Sequence, residues 1–138
     1  MPAWTCPNCQ RRFARRGQGH ECAPAMTVEE YFATGPPFER PVFEAVLEAL
    51  RPLGPIHVEP VSVGIFLKRA QTFAQLRPMT RWVTLSFSLR REVRHPLITR
   101  KVIAHGGRYF HVVKLTGPDD LDEQIVDWLT EAYADAPD

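Results

Sequence analysis

Three features of this chain together predict an α+β fold. Cys6-Pro7-Asn8-Cys9 is followed, after ten residues, by His20-Glu21-Cys22, a metal-ligand spacing that uses every cysteine present. Apolar residues recur at helical spacing in two stretches, Val42 to Leu50 and Leu121 to Ala132. Between them, Val61 to Leu89 holds runs that alternate with a period of two, the pattern of an antiparallel sheet with one buried face. The expected architecture is an N-terminal knuckle over residues 1–24 and a small α+β domain over residues 25–138. In that domain an antiparallel sheet of four or five strands carries two helices packed on one face.

The knuckle comes first. Cys6 and Cys9 from one tight turn, with His20 and Cys22 from a second, make a four-coordinate tetrahedral shell suited to a structural Zn²⁺. Four protein ligands leave no open position for water or substrate, so such a site staples a fold. Two other readings compete. A thioredoxin-type redox pair needs a strand before its C-x-x-C and a helix after it, and Trp4-Thr5 leaves no room for that strand. A disulfide would leave one of the three cysteines over. The Met1-Pro2-Ala3 start shows no secretory pattern, so a reducing, cytoplasmic setting is expected, which favours thiolates on metal. Arg11, Arg12, Arg15 and Arg16 make the knuckle locally basic. They could contact phosphates, or offset the net negative charge of three thiolates on one Zn²⁺. A base-reading finger is not expected: Gly17 and Gly19 interrupt the intervening segment, and one residue separates the last two ligands. Trp4 and Phe13 would supply the small apolar base.

After Ala23-Pro24-Ala25, Thr27-Val28-Glu29-Glu30 has the form of a capping box and opens a short helix through Tyr31 and Phe32. Thr34-Gly35-Pro36-Pro37 ends it. A second helix runs from Phe38 to Leu50, with Pro41 tolerated in its first turn and Pro52-Leu53-Gly54-Pro55 as its stop. Strands are expected at Val61 to Lys68, Thr72 to Leu76, Thr80 to Arg90 and Tyr109 to Leu115, with hairpin turns at 69–71 and 77–79. A basic loop covers 91–101, and His105-Gly106-Gly107-Arg108 reads as a turn. Gly117-Pro118-Asp119-Asp120 opens a last helix that ends near Tyr133.

The net charge of +1 conceals an internal polarity. Nine basic residues lie between Lys68 and Lys101 against Glu92 alone, while eight acids and no base lie between Asp119 and Asp138. The last helix could complement the basic segment directly. No apolar run approaches the ~20 residues that span a bilayer.

Several residues carry a resemblance. Trp4, Cys6, Cys9, Arg11, Phe13, His20 and Cys22, then Tyr31-Phe32, begin it. Gly64-Ile65-Phe66-Leu67-Lys68, Phe73-Ala74, the Leu85 to Leu89 strand and Leu121-Asp122…Trp128-Leu129…Ala132-Tyr133 continue it. Together they resemble a bacterial family known as domain of unknown function 5655, with an N-terminal Cys-Cys-His-Cys zinc knuckle. The resemblance implies a knuckle plus a compact α+β domain, and no activity.

Three functions are consistent with these residues. The mixed charge suits a zinc-containing protein-interaction or regulatory module, with Trp4, Phe13 or Trp82 as anchors. The alternative is a nucleic-acid binder that tolerates any sequence. In it Arg11, Arg12, Arg15, Arg16, Lys68, Arg69 and Arg81 would hold the backbone while Trp82 stacks on bases. The third is an enzyme or a receptor for a small anion, with His105 or His111 as the acid–base group. Its specific signals are missing: no phosphate-binding glycine loop, nucleophile elbow or metalloprotease helix is present, and no catalytic residue is assigned.

Overall fold

The structure, a computed structural model, describes residues 4–19, 22 and 26–136. The chain opens with a two-stranded ribbon, β1 (Trp4–Thr5) and β2 (Arg12–Phe13), paired antiparallel with Trp4 opposite Phe13; a short strand thus does precede the C-x-x-C, against expectation, but a turn and not the helix of a redox pair follows. The capping box then forms as its residues dictate. Thr27 Oγ1 accepts from the Glu30 N–H at 3.0 Å, Glu30 Oε1 accepts from the Thr27 N–H at 3.1 Å, and α1 (Val28–Phe32) follows. Helix α2 (Glu39–Leu50) buries Val42, Phe43, Val46 and Leu50 and runs into a single 3-10 turn at Arg51–Leu53, where Pro52 stops it.

Six further strands form one antiparallel sheet. They are β3 (His57–Val61), β4 (Gly64–Lys68), β5 (Thr72–Pro78), β6 (Val83–Leu89), β7 (Ile103–His105) and β8 (Arg108–Leu115). Their order across the sheet is β3-β4-β5-β6-β8-β7. The sheet therefore exceeds the four or five strands expected. The stretch beginning at Val61 is the tip of a β3–β4 hairpin, with Val61 opposite Gly64. Pro60 argues against a strand in sequence, yet it is admissible here because β3 lies at the sheet edge. The second hairpin turn also moves: β5 runs on to Pro78, and the Met79 N–H closes the turn on the Trp82 carbonyl at 2.7 Å.

Register separates the two faces. Leu67, Ala74, Phe87 and His111 lie side by side on β4, β5, β6 and β8, all buried. The next row, Phe66, Gln75, Ser86 and Val112, points the other way and is half-buried. Helix α2 and helix α3 (Glu123–Asp135) close the first face around a core that includes Leu85, Leu89, Ile125 and Trp128. Helix α3 starts where the Asp122 carboxylate accepts from the Ile125 N–H at 2.9 Å, three residues after a separate 3-10 turn at Pro118–Asp120. Among the described residues no helix is long and apolar enough to cross a membrane.

Gly64 shows how tightly the β4–β5 pair is drawn. A Cβ there would sit 2.5 Å from the Leu76 carbonyl oxygen, a backbone atom with little freedom to yield. Gly64→Ala should therefore cost about 1–3 kcal/mol. A thermal melt that left the midpoint unmoved would show that the strands can part there.

Candidate metal centre and the adjoining basic groove

The ribbon exists to hold a cysteine turn. Between β1 and β2, the Cys6 N–H donates to the Arg11 carbonyl and the Gln10 N–H to the Cys6 carbonyl, both at 2.8 Å. Gln10 adopts φ +63°, which lets the chain reverse directly after the second cysteine. Cys6 and Cys9 are buried and Cys22 is exposed; their three Sγ atoms lie within 4.8 Å of one another. Cys6 Sγ and Cys22 Sγ are 3.9 Å apart. The edge of a tetrahedron with metal–sulfur bonds of ~2.3 Å is ~3.8 Å, whereas a disulfide brings sulfurs to ~2.05 Å. The donor set thus fits a metal ion, and Trp4 and Phe13 pack around it. Burial pushes the Cys9 thiol up, against the pull of the Arg11 backbone N–H. A bound cation would reverse that balance, because thiols deprotonate on binding. His20, the expected fourth ligand, lies outside the described residues.

The knuckle is fastened to the outer face of the sheet by one carboxylate. Glu59, on β3, is 1% exposed. Its Oε1 accepts from Arg11 Nε at 2.8 Å and pairs with Lys68 Nζ at 2.8 Å. Its Oε2 accepts from the Arg12 backbone N–H at 3.0 Å and faces His57 Nε2 at 3.2 Å. Lys68 also donates to the Arg12 carbonyl at 2.7 Å, and Arg11 lies over the Phe13 and Phe66 rings, 5.4 Å from each centroid. Burial alone would raise the Glu59 carboxyl. The hydrogen bonds from His57, Lys68, Arg11 and Arg12 outweigh it and hold the group well below the usual carboxylate range. Burial pushes the Lys68 ammonium down, and the Glu59 carboxylate at 2.8 Å pulls it part of the way back. Nothing in sequence marks Glu59, since its knuckle partners Arg11 and Arg12 lie 48 and 47 residues away.

The basic residues therefore divide. Arg11 and Lys68 are buried on Glu59 and are not part of a solvent-facing cluster. Arg69 donates to the Tyr133 and Ala136 carbonyls at 3.1 and 3.2 Å and lies over the Tyr133 ring. Arg90 and Arg108 also donate to the Asp135 carbonyl, so three cations collect at the C-terminal end of α3. Arg91 grips Glu131 with two bonds of 2.8 and 2.9 Å, which explains an acid so late in that helix. Arg81 is exposed in the turn before β6. Beside it Trp82 is half-buried under Lys114, whose Nζ is 4.3 Å from the ring centre. Neither belongs to the knuckle's surroundings. His111 is fully buried against Phe87, and its Nε2 accepts from the Val93 N–H at 3.0 Å. It lies in the core row of the sheet beside Phe87.

Arg16 is exposed, and Arg12 and Arg15 remain outward as well. The latter two line a groove of about 760 Å³ between the knuckle and the outer sheet face, with Phe13, His105, Arg108 and Phe110 among the other walls. Lys68 reaches it too, with its charge already matched. None of the described lining residues is acidic. A shallow trough of about 80 Å³ runs on from it along β5 and β6, and Thr72 and Phe110 line both. The groove went unread in sequence because its walls come from β2, the β4–β5 turn and the β7–β8 turn.

No curated protein and no solved structure matches this chain. The family described as domain of unknown function (DUF5655) matches residues 28–136. Those limits run from the first residue of α1 to the C-cap of α3, and the cysteine ribbon lies before them. By that match, the chain belongs to the DUF5655 family.

Proposed function

We propose that this protein is a zinc-containing binding module whose working surface is the groove between knuckle and sheet. Cys6, Cys9 and Cys22, with His20 as fourth ligand, would hold a structural zinc ion, and its role there is to fold the segment that carries Arg12 and Arg15. A binding role is supported by one observation above the rest: Arg12, Arg15, His105 and Arg108 share a cavity whose described lining contains no carboxylate. The size, about 760 Å³, falls in the range of ligand sites. The partner is anionic; Arg11 and Lys68 are instead held by Glu59, and Arg69, Arg90 and Arg91 by α3.

Heparin retention tests this with a simple polyanion. Arg12→Glu/Arg15→Glu should elute at distinctly lower salt than the wild type. Arg77→Glu/Arg81→Glu, the same charge change on the exposed residues flanking the β5–β6 turn, should shift far less. Equal shifts would mean that net charge alone governs retention and that the groove is not the site.

A further inference from the structure

We infer that the anionic partner of this groove is a single-stranded nucleic-acid segment, with a phosphate on the Arg12/Arg15 side and a base laid against Phe110. The inference rests on the groove being the binding surface. What selects among anions is the wall opposite the knuckle. Phe110 on β8 is 39% exposed, and its cross-strand partner Ile103 on β7 is 64% exposed. These are two of the few large apolar side chains left in water, and they stand together on the outer face. An exposed ring next to arginines is the arrangement that holds unpaired bases, since every base has a π face while the arginines follow the backbone.

The trough beyond Phe110 supplies the complementary polar edge. Gln75 and Ser86 are cross-strand neighbours there, and both are half-buried. A side-chain amide and a hydroxyl can each donate and accept, which suits the mixed edge of a base. An acidic peptide would use the arginines but leave the ring and the amide without a role. A duplex would offer phosphates with its bases stacked away from Phe110. Arg108 has a positioning part: it donates to Ser88 Oγ at 2.9 Å and to the Asp135 carbonyl, so its charge is fixed at the floor between groove and trough.

The test uses the full, zinc-loaded chain and fluorescence anisotropy with a labelled ten-nucleotide single strand at two salt concentrations. Its duplex, a mononucleotide and inorganic polyphosphate serve as competitors. The single strand should bind with a steep salt dependence and compete better than all three. Phe110→Leu keeps apolar bulk but removes the ring; it should weaken strand binding about tenfold and leave polyphosphate binding unchanged. Phe110→Ala should do the same, and circular dichroism will show whether the β7–β8 hairpin persists. Arg12→Gln/Arg15→Gln should weaken both ligands. If polyphosphate binds and Phe110→Leu is silent, the groove takes anions but not bases, and this inference falls while the groove reading stands. A mononucleotide or duplex binding as tightly as the strand would also overturn it. If neither polyphosphate nor the strand binds, both readings fall.

Discussion

Glu59→Gln should destabilise the folded protein by about 3–5 kcal/mol, a large share of the stability of a domain this size. The substitution keeps the shape of the side chain but removes the carboxylate that pairs with Arg11 and Lys68, which are 8% and 3% exposed. Two buried cations would then share one neutral amide. Urea denaturation at neutral pH reads the loss as a lower midpoint. Adding Lys68→Met to Glu59→Gln should recover part of it, because one orphaned charge is gone; a double variant weaker than the single one would sink the charge argument. The pH dependence has a definite sign. Glu59 is held below its ordinary value of 4.5 in the folded state, so its contribution is complete above that value and fades as the pH falls beneath it. The stability gap between wild type and Glu59→Gln should accordingly narrow in acid. A gap that widened there would contradict the assignment.

Cys9→Ser should lower bound zinc from one ion per chain to a small fraction of that, measured by metal analysis after dialysis. Cys9 is one of two buried thiols in the cluster, and metal binding and knuckle folding are a single event worth on the order of 10 kcal/mol in small zinc peptides. The core built by α1, α2, α3 and strands β4, β5, β6 and β8 draws no described residue from the knuckle, so the far-ultraviolet signal of the sheet should persist. Heparin affinity should fall with the metal, because Arg12 and Arg15 would no longer be held over the groove. A variant that kept a full complement of tightly bound zinc would show that the ligand set is wrong. A variant that lost zinc and kept its heparin retention would separate the knuckle from binding.

Local signals were legible in the residues, and long-range pairings were not. The Thr27–Glu30 box formed as read, because each of its two bonds spans three residues. The same holds for the α2 stripe and for the alternation from Val83 to Leu89, where the apolar core face leaves a period in the sequence, although Thr84 and Ser88 on the polar face are buried too. β3 was hidden by Pro60, and β7 by having only three residues. The candidate site divides in the same way. Cys6, Cys9 and Cys22 announced themselves by spacing and do come together. Arg11 and Arg12 looked alike, yet one is buried on Glu59 and the other lines the groove. Neighbours along an extended ribbon face opposite ways, and which face meets the sheet depends on a carboxylate far along the chain. Phe110 carried no mark either, because an aromatic residue in a strand reads as core until its face is known.

The order of the strands also bears on how copies of this protein behave toward one another. A sheet ends in two borders whose unpaired amides and carbonyls can recruit a foreign strand. Here one border is β3, where Pro60 has no N–H to offer and its carbonyl already accepts from the Met26 N–H at 2.9 Å. At the other, β7 covers Arg108 to Phe110 for three residues, and the preceding loop covers the next stretch of β8, with the Thr99 N–H on the Val112 carbonyl at 2.9 Å. Both borders are blunted, one by proline and one by brevity, and neither offers a long ladder on which a second sheet could polymerise.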